Sequence, residues 1–331
     1  MTPEEIKDIV HRFSDQNVLV VGDAMIDSYM WGHIDRMSPE APVPVVSIDS
    51  REERLGGAAN VALNVQSLGA TPFLCSVVGE DLRGELFVHL MQQRGLNTEG
   101  IVSVDDRPTT VKTRIISDDK HVLRVDQEST EPVTSKKIFK RIKKIFKQHE
   151  IHVVIFEDYN KGLLTPELIE AVIELAHSCE IPVAVDPKRE HYWAYHGVDL
   201  FKPNWKELNE GLESWHAPED AAKEELRSKE IRATRERLAA KSVLCTLSEY
   251  GVQIQSEEEE HHFPVYERNI VDVSGAGDSV ISTAALVYAQ GVALKDVARF
   301  ANLAGGLVCE HVGVVPIDRR QLRDEALQLL T

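Results

Sequence analysis

The segment DVSGAGDSVISTAAL, residues 272–286, gathers residue types suited to handling an anion. Small residues lead into a helical pattern, so the backbone N–H groups of Gly275, Ala276 and Gly277 can converge at a helix start, where the helix dipole favours negative charge. Glycines admit close approach, and Asp278 places a carboxylate beside this anion hole, an arrangement suited to moving a phosphoryl group onto a hydroxyl. An ordinary tight turn is the competing reading. A second cluster, LGGAANVALNVQSLGA (55–70), sets paired glycines before an alanine-rich helix. Asn60, near that helix start, carries an amide able to bind a sugar hydroxyl as donor and acceptor, although the glycines alone also fit close packing.

Rival phosphate signatures are missing. No GxxxxGK[ST] occurs, which argues against a P-loop kinase, and no GxGxxG follows the first strand, which argues against a dinucleotide oxidoreductase. The run EEEE at 257–260 with His261 and His262 reads as a polar hairpin tip rather than a metal site. Cys75, Cys179, Cys245 and Cys309 are scattered, with no CxxC pair, and fit a reduced cytoplasmic protein. Residues 1–16 lack the apolar segment of a secretory signal, and 273–294 is too interrupted by polar residues to span a membrane. The 331 residues carry 37 Lys and Arg against 54 Asp and Glu, a net charge of −17 that disfavours nucleic acid and anionic membranes as partners.

The elements that must position these residues alternate. Apolar β-rich runs at 17–23, 73–78, 151–156, 181–186 and 242–247 are interleaved with helical patterns at 58–68, 82–94, 134–148 and 166–179, after a short amphipathic helix. This predicts an α/β fold with a mostly parallel sheet covered by helices, its ligands at the carboxyl ends of strands. The segments 43–48, 109–117 and 121–126 break the pattern and read as a small half-exposed antiparallel sheet, a flap that closes over a ligand or pairs with another subunit. The charged stretch 206–240 reads as solvated surface helices. With no repeat or low-complexity linker, one domain over 1–331 is expected, with a lid inserted from approximately 30–50 and 106–127.

GGAAN near the amino end and DVSGAGD near the carboxyl end together resemble the paired signatures of the ribokinase-like (phosphofructokinase-B) carbohydrate kinases. Supporting motifs run from about residue 16 to 328. GDAMIDSYMWGHIDRMSPEAPVPVV (22–46), PTTVKTRIIS (108–117), EDYNKGLL (157–164), DPK (186–188), KPNWKE (202–207) and TLSEYG (246–251) are similar to the heptose-7-phosphate kinase branch. The resemblance implies a three-layer sandwich with a β-sheet lid. It also implies ATP-dependent phosphorylation of the anomeric hydroxyl of D-glycero-D-manno-heptose 7-phosphate in ADP-heptose and lipopolysaccharide core synthesis. Another sugar or sugar-acid kinase, or a catalytically silent binder on the same fold, are the alternatives. Some relatives carry a fused adenylyltransferase; a kinase unit alone is expected here.

The same resemblance makes Asp278 the catalytic base, with an ordinary carboxylate pKa near ~3.9 expected, and the amides of Gly275, Ala276 and Gly277 the stabilisers of the transferred phosphoryl group. It makes Asp27, Gly56, Gly57 and Asn60 sugar-binding residues. Lys112, Arg114, Arg124, Lys161 and Lys188 become candidate cations for the substrate's own phosphate. Asn204 and Glu207, the NxxE pair, would hold Mg²⁺ through water. Asn204, Thr246, Ser248, Gly251 and Asn302 would line the nucleotide, Ser248 standing where many members have glycine. Glu157 stands where a small residue is expected, and Asn160 is also unusual. ATP and Mg²⁺ are the implied cofactors, a monovalent cation is left open, and a homodimer through the lid strands is the implied assembly.

Overall fold

Residues 1–118 and 120–331 are described by a computed structural model. Its strands are β1 (Asn17–Gly22), β2 (Ala24–Met37), β3 (Pro44–Gly57), β4 (Thr71–Gly79), β5 (Ile101–Val104), β6 (Val111–Ser117), β7 (Lys120–Gln127), β8 (Val153–Glu157), β9 (Val183–Asp186), β10 (Leu200–Phe201), β11 (Ser242–Thr246), β12 (Val252–Gln255) and β13 (Glu260–Phe263). The helices are α1 (Pro3–Arg12), α2 (Ala58–Ser67), α3 (Leu82–Gln93), α4 (Ser135–Gln148), α5 (Pro166–Ser178), α6 (Trp205–Leu212), α7 (Glu224–Leu238), α8 (Ala276–Tyr288), α9 (Leu294–Val308) and α10 (Arg319–Leu329).

Period-two alternation in apolar strands divides the interior into two layers. Val18 and Val20 of β1, with Val153 and Ile155 of β8, pack into a core with α1, α2, α8, α9 and α10. Leu19, Val21, Val154 and Phe156 point the other way, into a core with α4, α5 and α7. Between the cores lies a nine-stranded sheet in the order β13-β12-β11-β10-β9-β8-β1-β4-β5. Only the β11–β12 and β12–β13 pairs are antiparallel. This is the expected three-layer α/β architecture. Among the described residues no helix is long and apolar enough to cross a membrane.

A second sheet of four strands, ordered β3-β2-β6-β7, forms the lid. It is larger than the stretches expected from about 30–50 and 106–127. β2 and β3 are 14 residues each, so this sheet begins two residues beyond β1 and returns directly into α2. It is also mixed rather than antiparallel, because β2 pairs in parallel with β6. Asp27, a few residues beyond β1, therefore sits within β2, opposite Arg54 and Lys112 in its neighbours. The return into α2 turns at Gly57, with φ of 60° and ψ of −135°, where any side chain would also run into the Asp23 carbonyl.

The charged stretch 206–240 is less solvated than its composition suggests. Arg227 of α7 is 3 % exposed, and its guanidinium donates to Gln253 and to the Ala221 carbonyl. The EEEE run forms the expected hairpin tip between β12 and β13.

Candidate active site

β1, β8, β9, β10 and β11 lie in parallel side by side, so Asp23, Glu157, Asp186, Lys202 and Thr246 emerge along one carboxyl edge. Open α/β sheets bind ligands at that edge. The first turn of α8 is laid against it. Gly275 caps the helix with φ of 79°, beside Val314, a conformation that excludes other residues at little cost only for glycine. A Cβ added at Gly277 would stand 3.6 Å from Asp186 Oδ2 and 3.8 Å from Lys202 Nζ. The anion hole is narrower than the sequence suggests. The Ala276 amide donates to the Val273 carbonyl at 3.3 Å, whereas the Gly275 and Gly277 amides have no acceptor among the described residues.

Asp278, 7 % exposed, is held from two sides. Asn60 Nδ2 donates to Oδ2 at 2.5 Å, and the Tyr159 hydroxyl donates to Oδ1 at 3.2 Å. Asn60, expected to bind the sugar, thus binds the Asp278 carboxylate. Burial raises the Asp278 carboxyl to about 6, helped by Asp186 and opposed by the bonds from Asn60 and Tyr159 and by Lys202. The ordinary carboxylate value expected from sequence is corrected accordingly, because desolvation of the charged form outweighs the donors.

Glu157, Asp186 and Asp278 offer oxygens within 4.8 Å of one another. Lys202, 2 % exposed, sits against Asp186 with Nζ–Oδ2 of 2.9 Å. Burial, then Asp186 and Asp278, push the Glu157 carboxyl well above the usual range. Its Oε2 is buried without a partner among the described residues. Asp23 accepts N–H bonds from Tyr159 and Lys161 at 3.0 Å and from Leu163 at 3.3 Å, which anchors the loop after β8.

A cleft of about 1660 Å³ extends from Asp278 past Asn204, Thr246, Ser248, Gly251 and Asn302, the residues expected to line a nucleotide. Ser248 has φ of 52°, the left-handed region that favours glycine and that serine adopts here. Asn302 donates to the Pro264 carbonyl at 2.8 Å and lines the cleft. The NxxE motif is a capping box. Asn204 Oδ1 accepts from the Glu207 amide at 2.8 Å, and Glu207 Oε2 accepts from the Asn204 amide at 2.9 Å. Lys188 donates to the remaining Glu207 oxygen.

The predicted substrate cations are mostly engaged. Arg114 binds Asp27 at 2.5 Å, Arg124 binds Asp126 at 3.0 Å on the exposed lid, Lys161 binds Glu128 at 2.9 Å, and Lys188 pairs with Glu207. Lys112 forms no ion pair among the described residues; its ammonium lies 5.4 Å from the Tyr159 ring centre. Burial and then Lys161 lower its pKa. Gly56 lets the Asp27 carboxylate lie close against β3, where a side chain would displace it. Asp27, Gly56, Gly57, Lys112, Arg114, Arg124 and Lys161 are not part of the cleft wall. Sequence reasoning passed over Tyr159, Asp186, Lys202 and Asp23. The available signal was position, since each ends or follows an apolar strand that runs into the same edge.

A family model described as pfkB family carbohydrate kinase matches residues 15–319. The chain is 38 % identical over 316 residues to a D-beta-D-heptose 7-phosphate kinase of Bordetella bronchiseptica, covering 95 % of this chain and 97 % of that protein. It is 39 % identical over 300 residues to the bifunctional protein HldE of Helicobacter pylori strain 26695, covering 90 % of this chain and 64 % of that longer protein. Escherichia coli phosphofructokinase-2 in complex with potassium superposes with a TM-score of 0.76 at 17 % identity, over 96 % of this chain and 99 % of that one. Arabidopsis thaliana ribokinase complexed with ribose and ATP gives 0.71 at 19 %, over 93 % and 98 %. These structural likenesses establish the shared fold.

A reaction that uses Asp278 as its base needs the ionised carboxylate. Turnover is therefore retained above about pH 6 and lost as pH falls through that value. A kcat/KM profile with its acid limb near 6 is expected; a limb near ~4, the ordinary aspartate value, contradicts the site's electrostatics.

Proposed function

The chain belongs to the pfkB family of carbohydrate kinases, and from that premise we propose that it phosphorylates the anomeric hydroxyl of D-glycero-D-manno-heptose 7-phosphate with ATP. The product would be the 1,7-bisphosphate that feeds ADP-heptose and lipopolysaccharide core synthesis. As a phosphotransferase with an alcohol acceptor, the enzyme needs a base, a site for the developing negative charge and a cation for the acceptor's own phosphate. The observation that carries the reading is Asp278: a buried carboxylate at the start of α8, held by Asn60 and Tyr159 at the end of the large cleft.

In the reaction, Asp278 accepts the hydroxyl proton as the sugar oxygen bonds to the γ-phosphorus and the bond to the bridging oxygen of ADP breaks. The amides of Gly275 and Gly277 and the dipole of α8 face the negative charge on the transferred group. Asn204, Thr246, Ser248, Gly251 and Asn302 would line the nucleotide. Mg²⁺, when bound, neutralises and orients the phosphates. The NxxE pair suits an ion that keeps its water, because each Glu207 oxygen already takes one donor and retains a lone pair for a metal-bound water. On the acceptor side, Asp27 with Gly56 and Gly57 would face the sugar, and Lys112, which forms no ion pair among the described residues, would receive the 7-phosphate. Glu157 favours a second reading, a kinase for another sugar phosphate or sugar acid, since a buried carboxyl beside the base replaces a small residue expected in the heptose branch.

The lid has an exposed apolar surface that includes Ile34, Met37, Val43, Ile48, Leu123 and Val125, and this supports a homodimer through the lid strands. Sedimentation is expected to give twice the 37.1 kDa chain mass, and a monomer at micromolar concentration rejects it.

An ADP-release assay across a sugar-phosphate panel tests the main reading. Heptose 7-phosphate should have the highest kcat/KM, and Asp278→Asn should reduce kcat by roughly 10²–10⁴. Lys112→Ala should raise KM for the phosphorylated sugar about tenfold or more with a smaller effect on kcat. A different best substrate supports the second reading, and full activity of Asp278→Asn rejects both.

A further inference from the structure

Tyr159 stands where the acceptor side and the nucleotide cleft meet. It follows β8 in the loop that Asp23 anchors through three backbone amides, so its position is set by the carboxyl edge of the sheet rather than by the lid. Its hydroxyl donates to Asp278 Oδ1, and its ring contributes to the cleft wall. The same ring lies 5.4 Å from two ammonium groups, that of Lys112 from β6 of the lid and that of Lys188, which is also paired with Glu207. The ring quadrupole attracts an ammonium without forming an ion pair, and the nearby carboxylates of Asp27, Glu128 and Asp126 favour the charged form of Lys112 without pairing with it among the described residues. One side chain therefore lies against both Asp278 and Lys112, a lid cation that forms no ion pair among the described residues.

Building on the kinase reading above, we propose that Tyr159 is a positioning residue of phosphoryl transfer: its hydroxyl fixes Asp278 toward the acceptor hydroxyl while its ring seats Lys112 for the acceptor's phosphate. Asn60 holds one carboxylate oxygen and Tyr159 the other, so the carboxylate plane is set from two sides and each oxygen keeps a lone pair. The tyrosine proton stays on the phenol throughout; the proton that moves is the acceptor's, which passes to Asp278. Pairing both duties in one residue ties the base to the arrival of a phosphorylated acceptor. A sugar without a phosphate would leave the Lys112 contact unused.

The two duties separate by substitution. Tyr159→Phe keeps the ring and removes the hydroxyl. The groups facing Asp278 are otherwise Glu157 from β8, Asp186 from β9 and Lys202 beyond β10, with the neutral Asn60 from α2. None of these changes in the variant. Loss of one donor to the charged form should then move the acid limb of kcat to higher pH by roughly half to one unit, with kcat lowered about tenfold and KM for the sugar phosphate within about twofold. Tyr159→Leu, which also removes the ring, should add a rise of about tenfold in that KM. Replacing Tyr159 with 3-fluorotyrosine, whose phenol is a stronger donor and whose shape is conserved, should move the limb the opposite way.

An acid limb that stays in place in both Tyr159→Phe and the fluorotyrosine enzyme overturns the hydroxyl's role, and an unchanged KM in a folded Tyr159→Leu overturns the ring's. If Tyr159→Leu does not fold, Tyr159→Met, which also removes the ring, decides by its KM for phosphorylated against unphosphorylated acceptor: equal losses on both contradict the ring's role. A failure here while Asp278→Asn remains inactive leaves the kinase reading standing, whereas an active Asp278→Asn removes that reading itself.

Discussion

Holding a negative charge out of water at the start of α8 is the constraint on which the rest of the site depends. Asp278 is 7 % exposed, and its neighbours Glu157 and Asp186 are also acidic. Left alone, such a carboxylate would bind a proton and cease to be a base. Three features oppose this: the positive end of the α8 dipole, the donors Asn60 and Tyr159, and the buried ammonium of Lys202 against Asp186. The balance settles at about 6, low enough to be ionised near neutrality and high enough to accept a proton readily. A parallel sheet is what makes the balance possible. It brings the ends of β1, β8, β9 and β10 to one edge, so residues more than a hundred positions apart in sequence share a few ångströms.

The same edge explains how the lid takes part. β2 leaves β1 after one residue and β3 re-enters α2 at Gly57, so the lid is continuous with the strand and helix that carry Asp23 and Asn60. Its acidic and basic residues are largely paired within the sheet, Asp27 with Arg114 and Arg124 with Asp126. In a chain with a net charge of −17, such pairing leaves few cations for an incoming anion. Lys112 forms no ion pair among the described residues, and its ammonium lies 5.4 Å from the ring centre of Tyr159.

The layers were legible because buried strands and amphipathic helices write their periodicity into the sequence. Val18-Leu19-Val20-Val21 alternates between two cores as the period of a strand requires. The extent of β2 was hidden, since Asp27, Gly32, Asp35 and Arg36 interrupt its apolar pattern and its partners are supplied by distant segments. At the site, GAGD and GGAAN pointed to Asp278 and Asn60, but not to the bond between them. Glycines mark a backbone requirement locally; whether an amide meets a sugar or a carboxylate depends on a contact across 218 positions. The lysines and arginines were legible as cations and illegible as partners. Their choice between a substrate phosphate and a protein carboxylate is made in three dimensions, where Glu128, Asp126 and Glu207 claim three of them.

Titration of the Asp278 carboxyl carbon, observed by ¹³C NMR and assigned by its disappearance in Asp278→Asn, reads the central balance directly. The account predicts a midpoint at about 6. A midpoint near ~4, as for an aspartate in water, would show that this carboxylate is neither buried nor tuned as a base, and would contradict it.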